Sequence, residues 1–99
     1  MDAETKHRLV SIKQALLAYD EGRLDLNGLI SNIEVLQVGL TCLSENWRDD
    51  FRQQWGVLEQ VYSVAVVREQ PVETPTNREL IKTAMKKMRM MVDHVLNNC

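Results

Sequence analysis

Apolar residues recur at spacings of three and four through four successive stretches of this chain. That period puts them on one face of an α-helix, and it admits few folds: amphipathic helices that bury their stripes against one another. Leu9, Ile12, Leu16 and Tyr19 predict a first helix from Asp2 to Glu21. Asp2 and Glu4 fall in its first turn, where the helix dipole favours negative charge, and Gly22 follows as a C-terminal cap. Leu29, Ile33, Leu36, Leu40 and Leu43 predict a second helix from Asn27 to Leu43, capped by Asp25 or Asn27. Gly39 inside it implies close packing by a neighbour.

Trp47, Phe51, Trp55, Leu58, Tyr62 and Ala65 predict a third helix from just after Ser44 to Glu69. Its large rings should anchor the core. The Val-rich piece Val61–Val67 reads as a strand in isolation, but it continues the helical period begun at Trp47. Pro71 and Pro75 stop this helix. A fourth helix then opens on a capping box, Thr76 with Glu79, and carries Ile81, Ala84, Met88, Met91 and Val95 as far as Asn97. Short connections between four such helices predict an all-α fold: a single-domain antiparallel up-and-down four-helix bundle over residues 1–99.

Ninety-nine residues, 44% hydrophobic and 26% charged, suffice for one core and argue against disorder. No apolar run approaches the ~18 residues of a membrane span. The stretch Met1 to Arg8 is polar and charged, unlike a signal peptide, so a cytoplasmic protein is expected. Two cysteines, Cys42 and Cys99, are too few for a disulfide scaffold and read as free thiols.

No reaction chemistry converges. Bundle topology brings His7, His94, Cys42 and Cys99 to one end, which opens a Cys2His2 site geometrically. Yet His7 and Cys42 face away from their core stripes and no ligand spacing is present, so no metal is expected. Asp49 and Asp50 are adjacent and point apart, while Asp20 and Glu21 sit at a helix end. There is no Gly-rich phosphate loop, GxSxG elbow or HExxH. The expectation is a non-enzyme without a cofactor.

Function must then lie on surfaces. On the second helix Val35, Val38 and Cys42 line up opposite the main stripe, and Val57, Val61 and Val64 widen the arc of the third. Such residues either cover a neighbouring helix or form a partner or self-association surface, including a homodimer. Glu45, Asp49, Gln53, Gln60 and Ser63, with Glu59 nearby, make a partly acidic face that is either solvated or meets a basic partner. Arg78, Lys82, Lys86 and Arg89 line the fourth helix opposite its core stripe. Four bases in a row are either a solvated face or a phosphate-binding one, but no aromatic residue interleaves with them.

The stretch Trp47-Arg48-Asp49-Asp50-Phe51-Arg52-Gln53-Gln54-Trp55-Gly56-Val57-Leu58-Glu59-Gln60-Val61-Tyr62 has the form W-R-x-x-F-x-x-x-W-x-x-L-E-x-x-Y. Before it come an amphipathic helix ending in Tyr-x-x-Gly, here Tyr19 to Gly22, and a leucine-rich second helix. In these features the chain resembles small all-α bacterial immunity proteins of contact-dependent growth inhibition and related polymorphic toxin systems. The resemblance implies a cytoplasmic protein that binds one cognate toxin domain, often a nuclease, and blocks it by occlusion. A nuclease is usually basic, so the face to expect is acidic with apolar anchors: Val35, Val38, Cys42, Glu45, Asp49, Val57 and Glu59. Arg78, Lys82, Lys86 and Arg89 are the alternative face, suited to an acidic partner. A self-associating helical adaptor and a basic-helix nucleic-acid binder are the competing functions.

Overall fold

The computed structural model describes residues 2–97, which form four helices and, among the described residues, no strand. They are α1 (Ala3–Asp20), α2 (Leu26–Val38), α3 (Glu45–Val67) and α4 (Pro75–Asn97). Each helix packs on its neighbours in the chain, α4 closes the ring against α1, and the diagonal pairs make no close backbone approach. This is the antiparallel up-and-down four-helix bundle, 42 × 26 × 20 Å. Its lower end carries the first turn of α1, the 39–44 turn and the last turn of α4. Its upper end carries the 21–25 and 68–74 loops.

Every helix begins on a short polar side chain that satisfies a free backbone donor of its first turn. Asp2 accepts from Thr5 N–H at 2.8 Å, Asp25 from Gly28 N–H at 2.7 Å and Ser44 from Trp47 N–H at 3.2 Å. On α4 the capping residue is not Thr76 but Thr74, whose Oγ1 accepts from Asn77 N–H at 3.2 Å. Pro75 takes the first helical position, where a missing N–H costs nothing and its fixed φ suits the helix. The expected reciprocal bond to the capping residue is not made: the Asn77 side-chain amide donates instead to the Val72 carbonyl at 3.0 Å, which also accepts from Thr74 N–H at 3.1 Å.

Helix α2 stops at Val38, five residues short of the predicted end. The cause is Arg8 of α1. Its Nη1 donates to the carbonyls of Val35 and Leu36, both at 3.3 Å, and so supplies donors that the last turn of a helix lacks. Gly39 makes room for it: a Cβ there would lie 2.2 Å from the guanidinium carbon. The neighbour expected at Gly39 is therefore a side chain, and it ends the helix. Leu40 remains buried beyond the helix end.

Two helices close with a left-handed residue just past the cap. After α1, Gly22 at φ 76° lets Arg23 N–H reach Ala18 O at 2.9 Å. After α3 the same hydrogen bond runs from Gln70 N–H to Ala65 O at 2.9 Å, but the left-handed residue is Glu69, at φ 54°. That turn, ahead of Pro71, is what stops α3. A side chain in this region is strained by about 1 kcal/mol. Glu69→Gly is expected to raise stability by about 0.5–1 kcal/mol, read from urea midpoints; an unchanged or lowered midpoint would contradict this.

The core is built from Leu9, Ile12 and Leu16 of α1, Leu29 and Ile33 of α2, Phe51 and Leu58 of α3, and Met88 and Val92 of α4, none more than 1% exposed. The α3 stripe is thus only partly interior. Trp47, Trp55 and Tyr62 lie half-buried against the cluster. Their rings pack against the cluster, and neither indole N–H faces open solvent: that of Trp47 is shielded and that of Trp55 is bonded to α2. Trp47 stacks on Phe51 with centroids 5.0 Å apart, and the Trp55 indole N–H donates to Ile30 O at 3.0 Å, pinning α3 to α2. On α4 the buried line runs through Met85 and Val92, with Met91 and Val95 at its edge. No helix among the described residues is long and apolar enough to cross a membrane.

Candidate partner-binding surfaces

Val35 and Val38 close α2 with 68% and 73% of their surface exposed. They cover no neighbouring helix. Val35 edges the shallow groove against α1, and Val38 is the last helical residue before the 39–44 turn. Cys42 does not continue their line. Because α2 ends early, Cys42 lies in that turn, and its Sγ sits 2.9 Å from the hydroxyl of buried Thr5 on α1. Beyond the turn, Glu45 and Asp49 are exposed on the first two turns of α3. Two exposed valines and two exposed carboxylates therefore share the lower end of the bundle.

The rest of the expected acidic face falls away from this group. Glu59 is exposed, but it lies 14 residues beyond Glu45, or about 21 Å along the helix. Val57 is half-buried against the core. It follows Gln53 and Gln54 by one turn, and these line the groove towards α4, so Val57 faces away from α2 and cannot join Val38. Val61, expected in the same arc, is core at 7% exposed, whereas Val64 is 40% exposed. The face is also less acidic than expected, since Arg52 approaches Asp49 to 4.0 Å. Within the first turn of α3 the Trp47 indole N–H and Arg48 Nε are shielded without a partner among the described residues.

The basic line does not stand opposite the core. Arg78, Lys82, Lys86 and Arg89 border a groove of about 510 Å³ between α4 and the end of α1. Arg89 reaches Asp20 of α1 at 2.6 Å, and Arg78 lies 3.7 Å from Glu73 of the 68–74 loop. Lys82 and Lys86 are exposed and form no ion pair among the described residues. Tyr19 separates this groove from a second cavity of about 700 Å³, which Gly22, Arg23 and Tyr62 also line. Residues from the two distant motif pieces, Tyr19 with Gly22 and Tyr62, thus meet at the upper end. Nothing in their spacing announced this; their common place at that end of an antiparallel bundle was the available clue.

Burial pushes the Tyr19 hydroxyl above its ordinary 10.0, the Glu73 and Asp20 carboxylates add to this, and Arg78 opposes them. A raised folded-state value means that the stabilising contribution is complete below about pH 10 and is lost as pH climbs beyond it. Tyr19→Phe is expected to soften the alkaline loss of stability, measured as urea midpoints at about pH 9 and about pH 11. An identical alkaline loss in both proteins would exclude Tyr19 as its source.

Among the described residues no three His, Cys, Asp or Glu side chains gather as a metal site. Cys99, one corner of the conceived Cys2His2 set, lies outside them. No family model matches the chain, and neither a curated protein nor a solved structure does.

Proposed function

We propose that the chain is a cytoplasmic immunity protein that binds a cognate toxin domain, most simply a nuclease, and blocks it by occlusion. The observation that carries this reading is the exposure of Val35 and Val38, 68% and 73%, at the same end of the bundle as the exposed Glu45 and Asp49. An apolar centre with charged neighbours is the make-up of a protein-binding patch. The carboxylates would draw in a basic domain and set its register, and the valines would supply contact area. The W-R-x-x-F-x-x-x-W-x-x-L-E-x-x-Y resemblance names the class of partner, while the patch supplies a means of binding it. Inhibition by occlusion needs no bond chemistry and no cofactor.

Growth on co-expression tests the proposal. A toxin-like domain encoded in a gene adjoining that of this chain is induced with and without it, and the lack of any such neighbouring gene overturns the reading. Survival only in the presence of the chain, together with a one-to-one complex on size exclusion, is the expected result. Equal killing in both cultures overturns the reading. The exposed valines also favour self-association as a helical adaptor. A concentration-dependent homodimer that Val38→Glu disperses, with no protection from the toxin, would put that function in its place.

A further inference from the structure

We propose that the groove between α1 and α4 docks an acidic, helix-forming segment of a partner protein, one presenting two carboxylates a single turn apart with an apolar side chain between them. The groove is long and open rather than compact. From Arg78 to Arg89 it follows eleven residues of α4, about 17 Å. Its floor is apolar, made by Ile81 and Met85, each 3% exposed, with the half-buried ring of Tyr19 beside them.

Charge along the groove is matched at both ends and unmatched in the middle. At one end Arg78 faces Glu73 at 3.7 Å; at the other Arg89 holds Asp20 at 2.6 Å. Between them Lys82 and Lys86 stand exposed and form no ion pair among the described residues. Four residues of helix separate them, about 6 Å. Acidic side chains at i and i+4 of a docked helix have that spacing, and the residue at i+3 shares their face.

The same pattern disfavours a nucleic-acid strand. A phosphate backbone carries charge at every nucleotide, so one that engaged both lysines would run on towards Asp20 or Glu73. A peptide ends its charge where the lysines end, and its apolar side chain meets the apolar floor. The groove is also separate from Val35 and Val38, neither of which lines it. The proposal therefore stands or falls independently of toxin neutralisation.

The test uses the full chain and a fluorescein-labelled, alanine-rich peptide of about twelve residues bearing Glu-x-x-Leu-Glu on one face. Anisotropy titrations at low salt should saturate, and salt at about 0.5 M should weaken them. Lys82→Glu/Lys86→Glu is expected to reduce affinity about tenfold, as is replacement of both peptide glutamates by glutamine. Lys6→Glu, at an exposed position on α1 outside the groove, should leave peptide binding unchanged. Ile81 and Met85 methyl resonances should shift on binding. Both lysines are exposed, so the double variant should keep its helical circular dichroism. Failure to saturate at low salt, or equal affinity in the double variant, overturns the proposal. So does tighter, lysine-dependent binding of a single-stranded oligonucleotide of equal length.

Discussion

Replacing Phe51 with alanine is expected to destabilise the bundle by about 3–5 kcal/mol. The ring is 1% exposed and stacks on Trp47 at 5.0 Å, nearly parallel at 8°. Its loss removes apolar surface from the second turn of α3, leaves a void and deprives Trp47 of its support. A domain of this size holds about 5–15 kcal/mol in total, so thermal unfolding should fall by more than about 10 °C. Trp55→Phe is the informative contrast. It keeps a ring at the α2–α3 boundary and deletes the N–H donated to Ile30 O, which should cost about 1 kcal/mol. Urea denaturation of the two variants side by side is the measurement. A Phe51→Ala loss below about 1 kcal/mol would mean that the ring is not packed as described.

Val38→Glu should do the reverse: leave the fold within about 0.5 kcal/mol of the parent and weaken partner binding by about thirtyfold or more. Val38 is 73% exposed at the end of a helix, so a carboxylate there stays in water in the free protein. In a complex it would be buried against a partner and would add to the charge of Glu45 and Asp49. Calorimetric titration with the cognate domain reads the loss directly. Charge reversal at Glu45 and Asp49 should act mainly on the association rate and its salt dependence. If Val38→Glu unfolds the free protein, the residue belongs to the core and the proposed patch is void.

Period and punctuation carried the architecture. The three-and-four spacing located all four helices, because an amphipathic stripe has no other way to be buried in so short a chain. Helix ends were legible only where the signal was local. Asp25 and Ser44 capped as the residues allow, but Arg8 ended α2 from 31 residues before Gly39, and no window along the sequence contains both. Thr74 displaced Thr76 because Pro75 is better suited to the first helical position than to any later one.

The surfaces were legible in direction but not in company. Val35 and Val38 are outward as their angle required, whereas Cys42 inherited an angle from a helix that had already ended. Val57 illustrates a further loss. Its position on the wheel shows that it flanks the core, but the handedness of the bundle decides which neighbour fills that flank. For the same reason the α4 bases read as solvent-facing although Arg89 pairs with Asp20 across the groove and Arg78 with Glu73 of the preceding loop.

The cyclic order of packing carries a kinetic consequence. Three of the four helix interfaces join chain neighbours, and only α4 on α1 unites the two ends of the fold. Folding such a chain requires little long-range searching, which places it among fast, low-contact-order domains, from about microseconds to milliseconds. The one distant seam is fastened in part by surface charge, through Lys13 with Asp93 and Arg89 with Asp20, each at 2.6 Å. Those pairs are screened by salt, while the three local interfaces are held mainly by apolar contact. The α1–α4 seam should therefore be the last to zip and the first to breathe, with amide exchange on its flank quickening as ionic strength rises.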